Sequence, residues 1–524
     1  MQQSISLKVL PSQAADTAAL TELAAAATGR PAADITGFHI LRQSIDARGK
    51  QQWIQLTLQV FVQEPFVERM VKKIHFRDVS KAARSVVIIG AGPAGLFAAL
   101  RLLEGGIRPV ILERGKDVRA RRRDLAMLNK EGIINPDSNY CFGEGGAGTY
   151  SDGKLYTRSS KRGDVERILN LFVQFGAEEK ILYEAHPHIG TNKLPQIITA
   201  MRKQIEDCGG IFLFDKKVTG FAVRNQAIEA VQTADGNTYT GDAVILATGH
   251  SARDIFMLLH GLGISIQFKP FALGVRIEHP QTLIDSIQYH QPSRTEYLPP
   301  AAYSLVQQVE GRGVFSFCMC PGGIIAPAAT GPGELVVNGW SPSKRNNPFA
   351  NSGMVVTIDE SDITELGQEH GALVGMHFQQ RVEQTAFTHG GGDFAAPAQR
   401  MVDLVEGRLS STLPDCSYLP GIRSAHMKDV LPPFVFSALR GAFTQFGKKM
   451  KGYYTNEAVV VATESRTSSP VRIPRDGTTL QHPQITNLYP CGEGAGYAGG
   501  IVSAAMDGEN AATALVQKLL HHHP

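Results

Sequence analysis

Apolar positions along this chain follow two rhythms, and their alternation predicts an α/β protein. Val86, Val87, Ile88 and Ile89 form an unbroken apolar run, as expected of a strand buried on both faces. Leu96 to Leu103 follows with helical character, and Val110-Ile111-Leu112 reads as a second strand. Strand, helix and strand at this spacing form a parallel crossover. Upstream, Ile5–Leu10 reads as a strand, alanine-rich Ala14–Ala27 as a helix, and His39–Ile45 with Gln52–Val62 as a hairpin. That β-α-β-β order predicts a small ferredoxin-like module over residues 1–80. Downstream, Lys216-Lys217-Val218 is expected to continue a strand that follows Gly209-Gly210. Between 262 and 470, strands are expected at Ala272–Ile277, Val314–Met319 and Glu334–Asn338, with a helix over Gly371–Phe387. There is no internal repeat and no low-complexity tract.

The turn between the first strand and its helix carries the chemistry. It reads Gly90-Ala91-Gly92-Pro93-Ala94-Gly95. Gly90 permits the tight turn, Gly92 lets backbone approach a pyrophosphate at the helix N-terminus, and Gly95 lets helix and strand pack closely. Glu113 stands at the end of the second strand, roughly 20 residues on, where a carboxylate accepts hydrogen bonds from a ribose diol. The motif predicts a bound dinucleotide. Glu113 would repel a 2′-phosphate, which leaves FAD or NAD in this half.

Two later segments bear on that choice. Ala243-Val-Ile-Leu-Ala-Thr248-Gly249 is an apolar strand ending in Ala-Thr-Gly, and Asn487-Leu-Tyr-Pro-Cys-Gly492-Glu493 leads through Gly499-Gly500-Ile501 into a helix from about Val502 to Leu520. With residues 86–115 they resemble the three-part signature of the FAD-dependent oxidoreductases of the glutathione-reductase-like type. The resemblance implies non-covalent FAD. It assigns Gly492 and Glu493 to the ribityl chain, Gly500 and Ile501 to the flavin's pyrimidine edge at a helix N-terminus, and Val218 to the adenine edge through its main chain. Phe142–Lys154, Glu464–Arg472, Met319–Gly323 and Gln43–Arg48 narrow the resemblance to the uncharacterised FAD-dependent dehydrogenase family, near the aromatic hydroxylase and geranylgeranyl reductase branch. That implies a discontinuous Rossmann-like FAD-binding domain (84–155, 190–260 and 475–520) with an inserted α+β substrate domain (262–470). The module at 1–80 would then serve for docking or oligomerisation.

No second strand–glycine–helix unit follows residue 115, so a nicotinamide, where it is the reductant, would visit transiently. The basic run Arg114–Arg123 has three readings: a solvated helix face, a nucleic-acid patch, or one arginine (Arg114 being the first) reaching a cofactor phosphate. Gly143–Gly148 reads as backbone packed closely against the flavin or its phosphates, Gly148 included.

Composition sets limits. The 524 residues, 43% hydrophobic, suffice for several domains, and a formal charge of +3 gives no global attraction to nucleic acid or acidic membranes. Met1-Gln-Gln-Ser lacks a basic signal region and no apolar run spans a bilayer, so a cytoplasmic setting without a membrane span is expected. The six cysteines show no disulfide or zinc spacing, and no metal site is expected. For catalysis the candidates are Cys320, facing the cofactor from the substrate domain's sheet, and Arg466, holding an anionic substrate or the reduced flavin. Alternatively, Arg466 pairs with Glu464 or Asp476 as a structural clamp. In Cys318-Met319-Cys320, strand alternation would turn both thiols to one face. With neither a separate NAD(P) domain nor a CxxC or CxxxxC pair, thioredoxin-reductase-like disulfide chemistry is not expected: the pair reads as buried, small, apolar cysteines, the active alternative needing thiolate character beside a flavin or a positive helix end. The reaction expected is hydride transfer between flavin N5 and a small organic substrate. An NAD(P)H-dependent flavin monooxygenase and a non-catalytic or RNA-associated flavoprotein are the alternatives.

Overall fold

A computed structural model describes residues 1–521. The apolar run at 86–89 becomes Ser85–Ile89, the middle strand of a five-stranded parallel sheet. Its order is Leu488–Pro490, Ala243–Leu246, Ser85–Ile89, Arg108–Leu112, Ile211–Leu213. Val86 and Ile88 face one apolar core, and Val87 and Ile89 face another on the opposite side. This is why the run is apolar throughout rather than alternating. One face is covered by the helices Pro93–Glu104 and Ile501–His521, which meet closely: a Cβ on Gly508 would lie 2.0 Å from the Ala94 carbonyl oxygen. Val165–Gln174 joins this layer, its Phe172 ring 5.3 Å from that of Phe97. The other face carries an antiparallel sheet of Val218–Arg224, Ala227–Thr233 and Thr238–Tyr239. Val218 therefore opens a new sheet and does not prolong Ile211–Leu213, because the chain turns at Asp215 with φ of 55°.

A seven-stranded sheet forms the second layer, in the order Val306–Val309, Arg312–Cys320, Phe349–Ile358, Phe271–Pro280, Val459–Glu464, Ala396–Arg400, Ile422–Ser424. All its pairings are antiparallel except the last. The strand expected at Glu334–Asn338 is instead Val337–Trp340. It pairs with Ile324–Pro327 in a separate ribbon, while Glu334 turns its carboxylate to Gln380 and Arg466. The helix expected from Gly371 begins at Val374, after a single 3-10 turn.

At the N-terminus, Gln2–Val9, Trp53–Val62 and Ile35–Asp46 form an antiparallel sheet in that order. Its helix runs Thr17–Thr28 rather than from Ala14, because the Asp16 carboxylate caps the amides of Ala18 and Ala19. Leu20, Leu56 and Leu58 share one continuous apolar core with Leu273, Val275 and Val356 of the seven-stranded sheet. Among the described residues, no helix is long and apolar enough to cross a membrane.

Candidate functional site

A cavity of about 380 Å³ lies between the C-terminal ends of the parallel strands and the seven-stranded sheet, which reaches it at Phe317, Cys318 and, just past Val459–Glu464, Arg466. Open parallel sheets bind ligands at such a place, where the loops beyond the strand ends separate. The glycine turn divides its labour. Gly90, with φ of +102°, would drive a Cβ to 2.7 Å from the Ala247 carbonyl oxygen, and a Cβ on Gly95 would come within 2.0 Å of the Gly90 oxygen. These two serve the protein's own packing. Gly92 lines the cavity, and a Cβ there would meet only Gly146 Cα, at 3.9 Å. No protein contact demands glycine at that position; a ligand against the helix start would. Pro93 and Ala94 complete this wall, and no side chain caps the helix they begin. Its first amides therefore face the cavity without partners.

Glu113 is buried at the cavity rim and accepts from the amides of Ala91, Gly115 and Gly143, each at 2.9 Å. It thus ties the glycine turn to the later glycine-rich loop, a task not foreseen from its motif position. Arg114 also lines the cavity, but its guanidinium is bound to Asp254 at 2.5 Å and stacks 4.3 Å over Phe142.

The basic helix hides a residue that the sequence reading passed over. Arg121 is fully buried, donating to the carbonyls of Asn139 (2.8 Å), Glu144 (2.8 Å), Tyr140 (3.0 Å) and Gly146 (2.8 Å). It is the hub around which residues 139–148 fold, and a Cβ on Gly143 would strike its Cδ at 2.4 Å. The signal was present: Arg121, Leu125 and Leu128 fall at i, i+4 and i+7, the buried stripe of Val118–Glu131. Gly146, Ala147 and Gly148 of this loop line the cavity, and Gly148 lies opposite Ile501.

Val218, Thr248, Gly249, Glu493, Gly500 and Ile501 line the same cavity. Ala91, Gly95 and Gly492 stand behind its wall, the Gly492 amide donating to Asp507 at 2.8 Å. Among the described residues, the Thr248 and Ser251 hydroxyls are buried at the cavity without a hydrogen-bond partner. Buried donors left open in this way are what a polar ligand would satisfy.

His250, directly after Ala-Thr-Gly, was missed as well. Its Nε2 lies 2.7 Å from the Arg466 carbonyl oxygen, which can only accept, so the proton sits on Nε2. Nδ1 then presents a lone pair toward Glu493 Oε2 at 3.5 Å. Burial, reinforced by Arg466 and Arg253, holds the imidazole down at about 3, so it is neutral; burial pushes the Glu493 carboxyl up to about 7.

Of the two catalytic candidates, Cys320 needs correction, and so do the clamp partners expected for Arg466. Cys320 is fully buried behind the wall; Cys318 lines the cavity instead. The register slips between Phe317 and Cys320, and Cys318 adopts φ of 44°, so simple alternation fails and the two thiols diverge. Arg466 does line the cavity, yet neither expected partner holds it. Glu464 is bound to Arg276 at 2.6 Å, and Asp476 caps Thr478 and Thr479. Arg466 is fixed by Glu383 at 2.9 Å, Glu334 at 3.0 Å and Thr330 at 2.7 Å. With Arg253 on Glu383 at 2.8 Å, this makes a buried cluster of two arginines and two glutamates.

Comparison with known proteins gives three family matches. Residues 270–467 match "FAD-dependent protein, C-terminal domain-like", residues 84–261 match "Pyridine nucleotide-disulphide oxidoreductase", and residues 1–61 match a domain of unknown function. An uncharacterised protein of Clostridium beijerinckii is 38% identical over 505 residues, spanning 93% of each chain. Among solved structures, glycerol-3-phosphate dehydrogenase from Bacillus halodurans complexed with FAD is similar at 11% identity and a TM-score of 0.36, over 85% of this chain and 67% of that one. 2,6-Dihydroxypyridine-3-hydroxylase from Arthrobacter nicotinovorans is similar at 11% identity and a TM-score of 0.35, over 84% and 85%. At that distance neither likeness bears on substrate or reaction.

Proposed function

Because this chain belongs to the family of FAD-dependent oxidoreductases that includes the Clostridium beijerinckii protein, we propose that the cavity is its FAD site and the seat of its reaction. The observation that carries this is the open position at Gly92, set beside uncapped helix amides and the unpartnered Thr248 hydroxyl. In this reading Gly92, Pro93 and Ala94 hold the pyrophosphate, and Glu113 and Val218 hold the adenosine half. Thr248, Glu493, Gly500 and Ile501 hold the flavin half. When bound, FAD supplies a centre that accepts or releases a hydride, here exchanged with a small organic substrate; NAD(P)H is the proposed transient reductant.

The chain's own groups supply the rest. The N-terminus of Ile501–His521 offers positive potential to negative charge in the flavin half. Glu493, held near neutrality by burial, can carry a proton on Oε2 and share it with His250 Nδ1, which the Nε2 bond to Arg466 keeps unprotonated. The Arg466–Glu383–Glu334–Arg253 cluster holds His250's carbonyl partner in place, which makes Arg466 a positioning residue. The division into an N-terminal module, a discontinuous FAD domain and an inserted substrate domain belongs to the same proposal.

The purified protein is expected to be yellow and to release FAD on denaturation. Gly92→Val should leave the flavin-free melting temperature unchanged and abolish flavin binding. Full flavin occupancy in that variant overturns the site. Comparing anaerobic with aerobic turnover separates a dehydrogenase from a monooxygenase.

A further inference from the structure

The bulge that parts Cys318 from Cys320 does more than misalign a strand. At Cys318 the left-handed backbone turns one thiol into the cavity, while Cys320 is sealed into the core behind it. The two remain close along the chain: Cys320 Sγ lies 3.2 Å from the Cys318 carbonyl oxygen, to which its thiol donates. Cationic groups gather around them. Arg276 places Nη2 at 2.5 Å from the Cys318 carbonyl oxygen and 3.7 Å from Cys320 Sγ. Lys154 lines the cavity and donates to the carbonyl of Met319, between the two cysteines. Asp152, Glu493 and Glu464, the last bound to Arg276 at 2.6 Å, are the acids that oppose this charge. Cys141 also lines the cavity, but its thiol is turned to the Ala328 carbonyl at 3.6 Å.

We propose that Cys318 and Cys320 form a redox-active dithiol, with Cys318 as the exposed attacking sulfur and Cys320 as its buried partner, giving the enzyme a second two-electron site beside the flavin. The proposal rests on the cavity being the FAD site. The neighbouring Cys320 thiol, followed by the charges of Lys154 and Arg276, holds the Cys318 thiol well below the usual thiol range. The same pairing and burial push Cys320 up. That asymmetry suits exchange, in which a thiolate attacks and a protonated partner closes the bond. On oxidation, a bond forms between the Cys318 thiolate sulfur and the Cys320 sulfur, and the Cys320 S–H bond breaks. Two electrons and that proton pass to the oxidised flavin, leaving a disulfide and a two-electron-reduced flavin with one negative charge. The reverse step regenerates the dithiol. Chemically, such a pair accepts electrons from thiols, or delivers them to disulfides, small enough to enter the cavity.

The test counts electrons and thiols, not turnover. The FAD-loaded protein is oxidised with diamide, freed of excess reagent and titrated anaerobically with dithionite. Wild type should consume about two equivalents per flavin; Cys320→Ser and Cys318→Ser should each consume about one. Mass spectrometry after alkylation should find a Cys318–Cys320 linkage in oxidised wild type. In the reduced protein, the pH midpoint for iodoacetamide labelling of Cys318 should lie below the ordinary value of about 8.5, and Lys154→Met should raise it. One equivalent in wild type, with both cysteines still alkylated after diamide, overturns the proposal. Thiol counting works on flavin-free protein too, so a preparation that forms the linkage but binds no FAD overturns the cofactor reading instead.

Discussion

Replacing Arg121 by lysine keeps the buried positive charge but removes the fork that reaches four carbonyls. An ammonium directs three donors from one nitrogen and cannot span acceptors that now meet Nε, Nη1 and Nη2 at 2.8–3.0 Å. If it keeps two of the four bonds, the loss is two hydrogen bonds to a charged group. At about 1.5–3 kcal/mol each, that is about 3–6 kcal/mol taken from the ordered state of residues 139–148. Because Gly146, Ala147 and Gly148 wall the cavity, this loss is charged to cofactor binding, as the loop must be ordered before FAD can be held. At 1.4 kcal/mol per decade, FAD affinity should fall by about 10²- to 10⁴-fold. Arg121→Met, which leaves all four carbonyls open, should do at least as much. Flavin fluorescence titration of the deflavinated protein gives the dissociation constant, and hydrogen exchange over 139–148 gives the loop's order. A wild-type dissociation constant in Arg121→Lys refutes the reasoning. If exchange shows the loop intact, Arg121 does not hold it; if exchange shows the loop open, the loop is no part of the site.

Two further outcomes follow from the same geometry. Glu113→Ala takes the acceptor from three amides as well as the proposed ribose partner. Loss of the ribose bond alone, at about 1.5–3 kcal/mol, should weaken FAD binding measured by calorimetry by about tenfold to a hundredfold; an unchanged dissociation constant would show that the carboxylate serves only the fold. Glu493, raised to about 7 from an ordinary 4.5, binds its proton more tightly in the folded chain, so its contribution is complete below about 4.5 and is lost as pH rises to about 7. The flavin-free wild type should therefore lose stability relative to Glu493→Gln across that window in pH-dependent melting curves, and parallel curves for the two proteins would rule the shift out.

The glycine turn was readable because each of its requirements is local: strand, turn, helix and acid follow one another within thirty residues. What escaped depends on contacts across the fold. Arg466 meets Glu334 and Glu383, far off in sequence, whereas the nearby acids Glu464 and Asp476 are engaged elsewhere. Cys320 was misplaced because a bulge is invisible to alternation: the slip of register leaves Cys318 at the cavity and takes Cys320 behind its wall. His250 carried no periodic signal at all. Arg121 did, but a run of arginines reads as a solvated face unless its spacing with Leu125 and Leu128 is taken seriously.

The parallel sheet draws strands from both ends of the chain, and this sets a timetable for biosynthesis. When the first two strands leave the ribosome, roughly four hundred residues remain before the strand Leu488–Pro490 and the helix Ile501–His521 that cover them. At about 5–20 residues per second, that interval lasts about 20 to 80 s. Throughout it, the apolar face that will receive Ile501–His521 is bare, and the cavity lacks the wall made by Glu493, Gly500 and Ile501. With the cavity as the proposed cofactor site, the chain must therefore be made through Ile501 before it can load FAD, and a chain that stops short of Leu488 would keep the glycine turn but have no completed pocket in which to use it.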